Sequence, residues 1–183
     1  MTRTRTNMHH LLSHMAAATP DAPALSYRNV TVSYADTWRQ TQQVATQLLE
    51  IGLQREDRVA IYLEKRHETV AAIFAASAAG GVFVPINHVL KPVQVGHILV
   101  DSGARVLVTS ADRLRQLAAV LGDTEVSEVI VVGAAAAPID GRRLHAWPAV
   151  DASMSVAELP APEPIDGDPA AILYTSGSTG KPK

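Results

Sequence analysis

The segment YTSGSTGKPK, from Tyr174 to Lys183, concentrates groups that can hold an anion. Gly177 and Gly180 let successive backbone N–H groups turn toward one point, because glycine tolerates dihedral angles that other residues resist. Such a concavity of N–H donors favours negative charge. Thr175, Ser176, Ser178 and Thr179 add hydroxyl donors, and Lys181 and Lys183 add positive charge. An apolar, strand-like stretch over residues 170–174 leads into the loop. The chemistry this implies is a grip on phosphate at the end of a strand.

Two common phosphate motifs do not fit. A Walker loop needs a glycine at Thr175 and a serine or threonine at Pro182. The dinucleotide fingerprint needs another glycine spacing and a helix starting directly after it, which Pro182 opposes. On composition alone, a Gly/Ser/Thr/Lys stretch reads as a solvated surface loop.

The elements that must position the loop follow a regular rhythm. Apolar runs at residues 58–63, 81–86, 105–110 and 128–133 read as strands. Helical patterns lie between them at 68–79, from Pro92 to near Gly103, and at 112–121. Alternation of this kind predicts parallel βαβ units, hence an α/β fold with a mostly parallel sheet flanked by helices. Continuous apolar strands suit a sheet covered on both faces. Upstream, ALSYRNVTVSY predicts two short strands around Arg28 and Asn29. Ser33 with Asp36 marks the start of a helix that buries Val44, Leu48 and Ile51 and stops at Gly52. Met8, Leu11, Leu12 and Met15 predict an amphipathic first helix. His10 and His14 share a face of that helix, but no third ligand is evident and solvated histidines explain them better. Residues 134–169 show no periodicity and read as an irregular, proline-rich, acidic connection. Asp166 and Asp168 within it read as solvated linker residues rather than a metal pair.

Composition narrows the function. With 183 residues, 47% hydrophobic and 19% charged, the chain has a globular profile. A net charge of −2 gives no field to recruit nucleic acid. The absence of cysteine excludes disulfides, thiolate zinc sites and a cysteine nucleophile, and fits a reducing, cytoplasmic setting. The uncharged-looking stretch over 69–90 is broken by Gly80, Gly81 and Pro85, so a buried helix and strand are expected rather than a transmembrane segment.

The whole string YTSGSTGKPK resembles the phosphate-binding signature of the AMP-forming adenylating enzymes, the superfamily of acyl-CoA synthetases, nonribosomal peptide adenylation domains and firefly luciferase. TPDAPALSY (19–27), DRVAIYL (57–63) and AAGGVFVPIN (78–87) resemble the same enzymes in the same order. Residues 80–108 look more like an acyl-CoA ligase than an amino-acid adenylation domain. The resemblance implies a partial N-terminal domain over 1–183, with the C-terminal remainder absent. It implies an ATP-dependent ligase that activates a small-molecule carboxylate, an acyl chain as in fatty acid metabolism, to an acyl-adenylate. CoA or a carrier-protein thiol would then accept the acyl group. By resemblance, Thr175, Ser176, Gly177, Ser178, Thr179, Gly180 and Lys183 hold the β- and γ-phosphates of ATP, and Lys181 is a solvated neighbour. The magnesium ligand, the adenine and ribose contacts and the catalytic lysine of the family come later than Lys183, so no catalytic or metal residue is assigned. Alternatives are a non-catalytic binding or interaction domain that keeps the ligase fold, or an unrelated phosphotransferase.

On this basis the 183-residue polypeptide alone is expected to be inactive. A loop anchored at one end must be ordered on binding, at about 1–2 kcal/mol per residue. Calorimetry with magnesium-ATP is expected to show little heat, and pyrophosphate exchange with a panel of carboxylates to stay at background. Micromolar ATP binding would contradict this.

Overall fold

A computed structural model describes residues 7–149 and 167–175. The chain divides into two compact units.

The first unit contains α1 (Met8–Ala18), the hairpin β1 (Pro23–Tyr27) and β2 (Val30–Ser33), α2 (Tyr34–Glu50) and α3 (His67–Ala78). The hairpin is antiparallel, with Tyr27 opposite Val30. Its two turn residues, Arg28 and Asn29, both have positive φ, at 47° and 65°. That geometry matches the twist of a two-residue hairpin. Ser33 caps α2, its hydroxyl accepting from the Asp36 N–H at 3.1 Å. The helix ends as expected, with Gly52 at φ +85° just beyond it. Val44, Ala45 and Leu48 are buried on α2, together with Thr37 and Thr41. These threonines stay satisfied by donating to the carbonyls of Ser33 and Thr37, at 2.7 Å and 2.8 Å. Helix α2 packs on α3, and α1 packs on both. Alanines at 71, 72, 75 and 76 form the buried stripe of α3.

The second unit contains β3 (Arg58–Tyr62), β4 (Val82–Pro85), α4 (Pro92–Ser102), β5 (Val106–Ser110), α5 (Ala111–Leu117), β6 (Glu128–Val132) and β7 (Arg143–Ala146). The strands form one sheet in the order β4-β3-β5-β6-β7, and every pairing is parallel. β3 is first in the chain and lies between the second and third strands. The chain therefore reverses its direction of travel across the sheet at β3, as in doubly wound α/β folds. Side chains at alternate positions, including Ala60, Tyr62, Val84, Leu107, Val129 and Val131, join Ile98 and Leu99 of α4 and Leu114 and Leu117 of α5 in one core. Pro92 opens α4 and Gly103 closes it in the left-handed conformation. Arg58 then caps the helix from β3, its Nε donating to the Ser102 carbonyl at 2.8 Å and its Nη2 to the Gly103 carbonyl at 2.6 Å.

Two expectations need correction. β7 lies within residues 134–169, where no periodicity showed. Its polar face pairs with Glu128 at the start of β6, whose side chain is fully buried. Arg143 donates through two guanidinium nitrogens to the Glu128 carboxylate, and His145 Nε2 lies 2.8 Å from it. Burial pushes the Glu128 pKa up, but the hydrogen bonds from Arg143 and His145 outweigh it and hold the group below its usual range. The strand expected over 170–174 is instead a single bridge, Ala171 to Phe83, with the Ile172 N–H donating to the Phe83 carbonyl at 3.1 Å. The next rung would draw its donor from residue 85, a proline without an N–H, so the ladder stops.

Two predictions follow from these contacts. A Cβ at Gly103 would lie 2.7 Å from Arg58 Nη2, and φ there is +57°. Gly103→Ala is expected to destabilise by about 1–3 kcal/mol, read as a lower urea midpoint. In the first unit, His9 Nδ1 lies 3.2 Å from Ser77 Oγ. Burial, aided by neighbouring His10, pushes the His9 pKa from 6.5 down to about 4. The folded state then binds fewer protons than the unfolded one, so the His9 contribution is complete above pH 6.5 and is lost as the pH falls toward 4. His9→Gln is expected to flatten that part of a stability–pH profile, and an unchanged slope would contradict it.

Candidate functional site

Thr175 is the one described residue of the expected phosphate grip, and it is exposed. Ser176, Gly177, Ser178, Thr179, Gly180, Lys181 and Lys183 lie outside the described residues, as does Asp166. What the structure establishes is the approach to the loop. The bridge at Ala171 places the chain beside β4, parallel to it. Ile172 and Tyr174 pack against the core of the second unit, while Leu173 between them is 67% exposed. This is the alternation of an edge strand. The Tyr174 hydroxyl donates to Asp101 Oδ2 on α4 at 2.5 Å. Burial and the Asp101 carboxylate both push the pKa of the tyrosine up, so it remains a donor. The loop thus begins from a segment held by backbone and side chain at the edge of a parallel sheet.

Asp168 is not a solvated linker residue, as the sequence suggested. Both its carboxylate oxygens accept from Arg55, with Nε to Oδ2 at 2.9 Å, and its side chain is only 9% exposed. A carboxylate committed to a guanidinium fork is a poor magnesium ligand. Among the described residues no group of three His, Asp or Glu side chains is placed to hold a metal ion. His10 and His14 do stack, with ring centroids 5.8 Å apart, but His10 Nδ1 accepts from the Asn7 N–H at 3.1 Å. The magnesium implied by the family resemblance therefore has no fit among these residues.

A second feature lies at the carboxyl ends of β3 and β5, the switch point where open α/β sheets commonly bind ligands. Here Arg113 and Tyr62 meet. The Arg113 guanidinium lies 4.7 Å from the centroid of the Tyr62 ring and donates to the His88 carbonyl at 2.8 Å. Arg113 Nη2 also stands 3.6 Å from Glu64. The Tyr62 hydroxyl donates to the Leu90 carbonyl at 2.9 Å, and Thr109 donates to the Tyr62 carbonyl at 2.9 Å. These contacts clamp the connection after β4 onto the sheet. Sequence reasoning passed over Arg113, because nothing in a helix-forming stretch marks one arginine as reaching across to another connection.

Comparison with known proteins identifies relatives of this chain. Residues 12–183 match the family described as AMP-binding enzyme. Tyrocidine synthase 1 from Brevibacillus parabrevis is 33% identical over 177 residues, covering 97% of this chain and 15% of that protein. An L-proline–L-prolyl-carrier protein ligase from Streptomyces coelicolor is 34% identical over 157 residues, covering 83% of this chain and 29% of that one. The structure of an anthranilate CoA ligase in complex with anthranoyl-AMP matches with a TM-score of 0.81 at 23% identity, covering 98% of this chain and 34% of that chain. That structural likeness shows the shared fold. The chain spans less than a third of the length of these two curated relatives. No helix among the described residues is long and apolar enough to cross a membrane. The family match extends over nearly the whole sequence, and this chain belongs to the AMP-binding enzyme family.

Proposed function

We propose that the protein carrying this chain is an AMP-forming ligase of the cytoplasm. It joins a carboxylate to AMP and then passes the acyl group to a thiol. The observation that carries this is the family match over residues 12–183, which includes the Gly/Ser/Thr/Lys string at 174–183. In the first step a carboxylate oxygen attacks the α-phosphorus of ATP, the bond to the bridging oxygen breaks, and pyrophosphate leaves. In the second step a thiol sulfur attacks the acyl carbonyl and AMP leaves. Magnesium, when bound with ATP, would offset phosphate charge; its protein ligand is not assigned to any residue of this chain.

In this proposal Thr175, Ser176, Gly177, Ser178, Thr179, Gly180 and Lys183 hold the β- and γ-phosphates. Those phosphates accumulate charge as pyrophosphate departs, and donors already aimed at developing charge stabilise the transition state. In the same proposal Lys183 neutralises that charge, and Lys181 is a neighbour that takes no part in holding the phosphates.

CoA is the proposed acceptor, in line with the character of residues 80–108, and an acyl chain the proposed carboxylate. A carrier-protein thiol is the second reading. It is supported by the carrier-protein ligase, 34% identical over 157 residues.

Carboxylate-dependent exchange of pyrophosphate into ATP tests the first step. In the full-length protein Lys183→Ala is expected to slow exchange by about 2–4 kcal/mol of lost transition-state stabilisation, and Lys181→Ala to do much less. Equal losses would contradict the assignment. Thioester formation with CoA, set against a carrier protein, decides the acceptor. Absence of exchange with any carboxylate would favour a non-catalytic domain on the ligase fold.

A further inference from the structure

Tyr174 is the last residue before the loop at 175–180, and its one recorded side-chain hydrogen bond runs to α4. The Tyr174 hydroxyl donates to Asp101 Oδ2 at 2.5 Å. Asp101 sits one position before the end of α4, which is itself well fixed. Val95, Ile98 and Leu99 are fully buried in the core of the second unit. Arg58 holds the carbonyls of Ser102 and Gly103 just beyond Asp101. The backbone anchor of the incoming segment lies at Ala171 and Ile172, two residues before Tyr174, and Pro85 prevents it from extending further. Between that last rung and the loop, Tyr174 is held by its hydrogen bond to Asp101 and by packing against the core of the second unit. A phosphate grip depends on its root being placed before the ligand arrives, because misplaced donors forfeit their advantage at the transition state.

We propose that Asp101 is a positioning residue for nucleotide use: through Tyr174 it fixes the root of the 175–180 loop on the rigid end of α4. Asp101 touches neither ATP nor carboxylate in this account. The inference rests on the loop at 175–180 being the phosphate grip.

The test uses the full-length protein and carboxylate-dependent pyrophosphate exchange, with thermal melts on every variant. Tyr174→Phe removes the hydroxyl and Asp101→Ala removes the acceptor. Each is expected to lower kcat/KM for magnesium-ATP by about tenfold, the scale of one lost hydrogen bond to a charged group, while KM for the carboxylate stays unchanged. Asp101→Asn keeps an acceptor oxygen and is expected to restore most of the loss. The double variant Asp101→Ala/Tyr174→Phe is expected to be no worse than the weaker single variant. Unchanged kcat/KM for ATP in Asp101→Ala and Tyr174→Phe would overturn the inference. So would multiplying losses in the double variant, or a parallel rise in both KM values that tracks a lower melting temperature. A wild-type protein without carboxylate-dependent exchange would instead overturn the ligase function, and the inference with it.

Discussion

Burial of one face of the parallel sheet under α4 and α5 is the interaction on which the second unit depends. β3 supplies Ala60 and Tyr62, β5 Leu107, and β6 Val129 and Val131, while α4 and α5 close over them with Ile98, Leu99, Leu114 and Leu117. A central strand such as β3 can be buried because its backbone pairs with β4 on one side and β5 on the other. That requirement forces the connections to cross the sheet, and the crossings bring distant residues together. Arg58 reaches the end of α4, Arg113 reaches the connection after β4, and Asp101 is held where Tyr174 can meet it.

The edges of the sheet are where polar chemistry enters. At β7 a buried carboxylate, Glu128, is stabilised by Arg143 and by a contact with His145 on the outermost strand, the arginine being 71% exposed. Separating a buried charge from its partners is costly, so the contact favours the register that keeps Arg143 and His145 beside Glu128. At the opposite edge, Pro85 limits β4 to one bridge with the incoming segment at Ala171. A short, proline-marked edge resists further strand addition. It also leaves the chain beyond Ile172 to be placed by side chains, which is where a functional loop can be set independently of the sheet.

Much of this was legible in the sequence because each element carries its own local signal. The strand–helix alternation, the Arg28–Asn29 turn, the Ser33 cap, Pro92 at the start of α4 and Gly103 at its end all depend on residues within one turn or one strand. β7 was not legible. Only Leu144 and Ala146 on it are apolar, and its warrant is Glu128, fifteen residues earlier on a neighbouring strand. Asp168 was misjudged for a similar reason, since Arg55 is remote in sequence. The phosphate grip proposed at Thr175–Gly180 with Lys183 rests on the chemistry of the string and on family resemblance, and only Thr175 of it lies among the described residues. The hydrogen bond between Tyr174 and Asp101 was not legible, because a contact 73 positions apart leaves no periodic trace.

The central claim is that a carboxylate oxygen attacks the α-phosphorus of ATP. The most direct measurement supplies the full-length protein with ATP, a thiol acceptor and a carboxylate labelled with oxygen-18, and locates the label by mass spectrometry. The account predicts that a labelled oxygen appears in the phosphate of AMP, because the attacked phosphorus keeps the carboxylate oxygen when the thiol displaces AMP. Label in inorganic phosphate with formation of ADP, or no transfer of label to any phosphate, would contradict it.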